Sequence, residues 1–254
     1  MLLIALRFLP LILGLLTFLD ADLGMSQSVP SISIDLSESD NPDDIVPTLK
    51  IVGMLTVLTL APSILLMMTS FTRIMVVMGF IRQAIGTQTL PPNQVLIGLS
   101  LFLTLFTMGP VLDVAYENGY KPYSEKKIGF EQAVDEVQKP LREFMLAETR
   151  QEDLAVFFNI AKTAKPTSVE DVPFRVLVPS FMISELKTAF QIGFMIYLPF
   201  LIIDMVVSSI LMAMGMMMLP PTVVSLPFKL VLFVLVDGWQ LITSSLVRSF
   251  QTFT

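Results

Sequence analysis

The chain has no cysteine and no histidine. Disulfides, thiol nucleophiles, zinc sites of the Cys/His type and imidazole acid–base chemistry are excluded together. Charge is scarce too. Charged residues are 15% of the 254 positions, against the roughly 25% usual in a soluble domain. The net charge is −6 with no basic patch, so no nucleic-acid partner is expected, and no cofactor is expected either. Apolar residues fill the space: 54% of the chain is hydrophobic, with 17 methionines and a mean hydropathy of +0.74. This is the composition neither of an ordinary soluble enzyme nor of a disordered tail.

At the N-terminus, Arg7 precedes an apolar run from Phe8 to Leu19. The run is short for a spanning helix, which needs about 20 apolar residues, and Pro10 and Gly14 interrupt it. A secretory signal peptide over 1–21 fits better, with cleavage after Ala21 or Gly24; an uncleaved anchor is the other reading. Residues 22–44 are polar, turn-rich and acidic (Asp35, Glu38, Asp40, Asp43, Asp44), as in a linker.

Charge-free stretches follow between Lys50 and Arg73 and between Arg82 and Asp113. Two more run from Thr188 to Leu219, interrupted by Asp204, and from Thr222 to Val247, holding Lys229 and Asp237. By hydropathy these are four candidate membrane helices. Gly86 to Val95 and Gly215 to Val224 both read G-x-x-x-L-P-P-x-x-V, agreeing at five of ten positions. Gly ends a helix in the left-handed conformation and Pro suits the next first turn. Each pair is therefore expected to be a helical hairpin, and the two hairpins an internal pseudo-repeat. The fold is expected to be all-α: a hairpin over 45–115, an inserted helical domain over 116–180 and a second hairpin over 181–254. With the mature N-terminus outside, the inserted domain lies outside and both tips face the cytoplasm; Arg73 and Arg82, taken as near the first tip, agree with the positive-inside rule.

In the inserted domain Phe130, Val134, Val137, Leu141 and Phe144 recur at helical spacing. Pro140 is expected to kink or divide that helix, and Thr149 with Glu152 suggests a capping box. Two such helices are too small to bury a core alone. Phe144, Phe157 and Phe158 are candidates for a subunit contact, or equally for an internal helix–helix core.

Asp204, amid FLIIDMVVSS, is costly in apolar surroundings and needs a partner or a wet cavity. A polar contact between packed subunits is preferred over a proton or ion site, and the same choice applies to Asp237. Lys229 is a plausible partner for a carboxylate, or snorkels to an interface. Met212, Met214, Met216, Met217 and Met218 crowd the second tip, where flexible side chains are either apolar filler or, repeated around an axis, a deformable seal.

Pro179 to Phe194 (PSFMISELKTAFQIGF), Pro199 to Ser209 with the following MGMMMLPP, and Ser70-Phe-Thr-Arg73-Ile continuing to the first tip all resemble signatures of the FliP family of type III secretion export-gate subunits. The likeness covers roughly residues 45–250. One departure is Ser180, where the family more often has Ala. The resemblance implies a core subunit of the flagellar protein export gate in the bacterial inner membrane, multi-pass and periplasm-facing, at the flagellar basal body. It implies a pentameric ring with FliQ and FliR, assembly aided by FliO, FlhA and FlhB completing the gate, and unfolded export substrates passing through. Hairpins of the family rise into a helical cone, so apolar faces bury against sister copies. Met216, Met217 and Met218 then correspond to a pore gasket and Glu185 to a subunit contact, while the role of Asp204 stays open. No covalent chemistry is implied, and the chain is not expected to be an enzyme. Virulence secretion homologues share the motifs. Two other classes remain beside it: an oligomeric ion channel or small-solute transporter using Asp204 and Asp237, and a membrane assembly factor without a pore.

Overall fold

The computed structural model describes residues 42–87, 89–162, 172–216 and 218–250. The expected signal peptide and most of the linker lie outside the described residues, as does Met217. The chain divides into two units, 1–56 and 57–254. The described part of the first is helical, the beginning of α1 (Pro42–Met67).

Among the described residues every regular element is helical, so the fold is all-α. The elements after α1 are α2 (Phe71–Ile85), α3 (Asn93–Thr107), α4 (Gly109–Ala115), a π-helical turn (Tyr116–Tyr120), α5 (Lys121–Ser124), α6 (Phe130–Glu148), α7 (Gln151–Ala161), α8 (Phe174–Ala213), α9 (Pro221–Leu235) and α10 (Gly238–Arg248).

The centre of the second unit is the pair α2 and α8. Ile74, Val77, Met78 and Ile81 are fully buried on α2, the i, i+3, i+4, i+7 stripe of an amphipathic helix. They face Leu177, Phe181 and Ala189 of α8 within one apolar core. Arg73 bonds Glu185, while Phe80 meets Phe190 edge-on with ring centroids 5.3 Å apart, so the two helices run in the same direction. Gly193 permits this approach, since a Cβ there would stand 2.4 Å from the Phe80 ring. At 40 residues, α8 is roughly 60 Å long at 1.5 Å per residue. Among the described residues it is the single helix long and apolar enough by itself to cross a membrane.

On α3 the usual pattern is inverted. Its buried residues are Leu96, Ser100, Thr104 and Thr107, while Phe102 and Phe106 are exposed. The buried hydroxyls are bonded: Thr104 Oγ1 donates to the Ser100 carbonyl at 2.7 Å, and Thr107 Oγ1 pairs with Ser70 Oγ. Small hydroxyl residues inside and large apolar residues outside are the pattern of helices packed in an apolar medium.

Both tips form as the spacing predicts. Gly86 has φ +89° and Gly215 φ +75°, the left-handed region that only glycine enters freely. After the first tip the helix begins at Asn93, behind Pro92; after the second, Pro221 is itself the first helical residue. Each second arm then bends, by 57° between α3 and the α4–α5 stretch and by 64° between α9 and α10.

Several expectations are corrected. The arm leading into the first tip is α2, a helix distinct from the charge-free stretch that α1 occupies. Arg73 lies at the end of α2 remote from the tip and is buried, so it adds nothing to a positive-inside count; Arg82 does stand at the tip, donating to Asn93 Oδ1. Helix α6 is not divided at Pro140. Phe130 is exposed, because the inward face of α6 is Ala133, Pro140, Phe144 and Met145. No capping box forms: Thr149 Oγ1 donates back to the Met145 carbonyl at 2.6 Å, and α7 starts behind Arg150 without a side-chain cap. Finally, α8 already begins at Phe174, so one helix runs across the division expected between residues 180 and 181.

Candidate functional site

Two buried charge clusters and one exposed tip hold the residues of interest. The first cluster joins the arms of the second hairpin. Lys229 projects from α9 to Asp204 on α8, with Nζ 2.6 Å from Oδ2, and Ser225 donates its hydroxyl to the other carboxylate oxygen. Lys229 is buried and Asp204 half-buried. An ion taken out of water costs several kcal/mol unless it is closely paired, and here each charge has its counter-ion within the same hairpin. Gly86 of the first tip stands beside them: a Cβ there would lie 3.9 Å from Lys229 Nζ and 3.5 Å from Leu226. The pair thus lies between the two hairpins.

The second cluster centres on Arg73, 2% exposed. Its guanidinium forks onto Glu185, with Nε 2.9 Å from Oε2 and Nη2 bonded to Oε1. Nη2 also donates to Glu148 Oε2 at 2.6 Å. Nη1 donates to the Ser249 carbonyl at 3.0 Å and its hydroxyl at 3.2 Å. The plane of the group lies over the Phe250 ring, 4.1 Å from its centroid. All five N–H donors of the side chain are therefore used, and α2, α6, α8 and the two residues after α10 meet at one residue.

Glu185 has its whole side chain enclosed by its own chain. Phe144 is buried between Phe181 and Phe250, with ring centroids 5.8 and 6.5 Å away. Phe158 is buried and Phe157 half-buried against the same core. Asp237, in the left-handed region at φ +49°, is exposed on the bend between α9 and α10. Met216 is exposed and Met218 almost completely so, at 98%. Among the described residues no group of three or more Asp or Glu side chains could hold a metal ion.

Sequence reasoning singled out Asp204, Lys229 and Glu185 but passed over Glu148, Ser249, Phe250 and the pairing of Arg73. The signal was present in Arg73 itself. A guanidinium in a long apolar run demands a carboxylate for the same reason that Asp204 demands a partner.

The model of the FliP family matches residues 54–246. A flagellar biosynthetic protein FliP of Bacillus subtilis (strain 168) is 54% identical over 217 residues, which are 85% of this chain and 98% of the relative. A protein with the same description from Pectobacterium carotovorum subsp. carotovorum is 58% identical over 199 residues, 78% of this chain and 77% of its own. Another, from Aquifex aeolicus (strain VF5), is 48% identical over 225 residues, 88% and 92%.

Proposed function

The chain belongs to the FliP family and is a membrane-associated component of the flagellar export apparatus, not an enzyme; from that premise we propose that it is a wall element of the export pore. Five copies surround an axis together with FliQ and FliR, in the bacterial inner membrane with the inserted domain towards the periplasm. FliO assists assembly, and FlhA and FlhB complete the gate. Unfolded flagellar proteins pass along the axis.

The observation that carries this reading is the second hairpin, charged within and apolar on its outer face. It closes around Asp204 and Lys229 while Phe194, Ile202, Met205 and Val206 remain exposed. Such a surface is stable only against lipid or other apolar helices. At its end the tip offers Met216 and Met218, exposed and polarizable. Copied around an axis, and with Met217, they make a gasket that yields to a passing chain and closes again on ions. Phe144, Phe157 and Glu185 enter the subunit contact on this reading: Phe157 by its half-exposed ring, the other two by fixing the surface that the neighbour meets.

The test is purification of the full chain with FliQ and FliR, followed by native mass measurement and imaging. Five copies in one body with an axial channel are expected. A chain that remains monomeric in detergent and joins nothing in its cell ends the proposal.

A further inference from the structure

Helix α10 is thinly attached. Of its eleven residues, Gly238 and Leu246 are buried and Ile242 is half-buried against the core, while Trp239, Gln240, Leu241, Ser244, Ser245 and Arg248 are exposed. Its first end is pinned where Gly238 lies against the Phe233 ring, which also meets Trp239 edge-on at 5.3 Å. Its other end runs straight into the Arg73 cluster. There Phe250 is wholly buried, under the guanidinium and stacked on Phe144, and Ser249 supplies both acceptors for Nη1.

We propose that Ser249 and Phe250 form a latch: the two residues that follow α10 dock into a receptor site built by Arg73, Phe144 and Phe181, and this docking keeps α10 folded against the rest. The chemistry suits the role. A fork on Glu185 and a bond to Glu148 leave Arg73 with two N–H donors, one cationic face and no further partner on α2, α6 or α8. A carbonyl, a hydroxyl and an aromatic ring satisfy all three. Removing them strands buried donors, so the docked state is preferred. Because α10 buries little between its pins, it opens and closes as one unit with the latch. The inference concerns the single chain and holds whether or not copies form a ring.

Hydrogen exchange on the full-length protein, read peptide by peptide, tests it. Phe250→Leu keeps an apolar side chain and removes the aromatic face beneath Arg73; Ser249→Ala removes the hydroxyl that accepts from Nη1 and leaves the fork on Glu185 intact. Both are expected to speed exchange across residues 239–250 by about tenfold or more, with α8 between 190 and 204 unchanged. No acceleration, or an equal one in α8, assigns these residues to ordinary core packing and overturns the latch. If either variant fails to accumulate, the unsubstituted protein decides. Its amides over 239–250 must exchange together and faster than those of α8; separate exchange, or exchange in step with α8, overturns the proposal equally.

Discussion

Lys229 meets Asp204 across the second hairpin at the same place where Ser100 meets Met75 across the first. Both pairs are 25 residues apart in the chain, and both bridge facing arms, at 2.6 and 3.6 Å. The displacement that carries Gly86 to Gly215 also carries Met75 to Asp204, Ser100 to Lys229 and Gly109 to Gly238, the glycines that open α4 and α10. One hairpin therefore holds its arms with an uncharged contact and the other with an ion pair. Lys229→Met leaves Asp204 without its counter-ion and is expected to cost about 3 kcal/mol, the lower end of the range for a broken buried pair because Asp204 keeps some contact with solvent. Asp204→Met combined with Lys229→Ser transplants the first hairpin's contact and is expected to recover most of that loss. Thermal unfolding in detergent measures both; a double variant less stable than the single one contradicts the equivalence of the hairpins.

Arg73 supports a second expectation. Arg73→Met strands the Glu185 carboxylate in the core, at a cost on the order of 3–5 kcal/mol. Arg73→Lys is expected to lose nearly as much, since an ammonium cannot reproduce the fork on Glu185 or reach the Ser249 acceptors as well. Unchanged melting of Arg73→Lys would show that charge alone suffices.

Glu185→Ala is expected to weaken ring formation on native gels. Because Glu185 supplies two of the bonds to Arg73, the isolated chain should melt lower as well, by an amount comparable to Arg73→Met. A normal ring removes the assembly claim; a lost ring with unchanged melting of the single chain places Glu185 directly at the neighbour.

Much of this architecture was legible because its signals are local. The tips announce themselves through Gly86, Gly215 and the Pro pairs that follow, since the left-handed stop and the helix start are decided within a few residues. Asp204 and Lys229 were legible as misfits in apolar sequence. The boundaries were not. Pro140, Pro179 and Pro199 all sit inside continuous helices, where tertiary packing outweighs the local penalty that proline carries. The Arg73 cluster was hidden for another reason. Its partners lie 75, 112 and 176 residues away, and no local pattern records such distances.

Gly193 offers a test of the core that is independent of charge. A methyl group added there would press on the Phe80 ring at 2.4 Å and on its Cβ at 3.0 Å. The ring is held edge-on against Phe190 and has little room to yield. Gly193→Ala is expected to destabilise by about 1–3 kcal/mol, as overpacking does, even though alanine is the better helix former. Phe80→Leu in the same chain should return part of the loss. Equal stability of Gly193→Ala and the original protein would mean that α2 and α8 are less closely joined than this contact requires.

Deleting Met216 to Met218 separates the seal from the scaffold. The described residues of this tip make no contribution to the buried core: Met218 is 98% exposed, and the hairpin below is closed by Asp204 and Lys229, well back from the tip. Assembly with FliQ and FliR should therefore survive the deletion. If the methionines form the gasket, what changes is leakage. Ions should pass an assembled pore that no longer closes, and conductance across a planar bilayer should rise over that of the complete complex. Leu at the same three positions preserves bulk while removing the flexible thioether, and should give an intermediate leak. An assembled complex whose conductance does not respond to the deletion would assign the methionines to apolar filler and return the seal to some other part of the assembly.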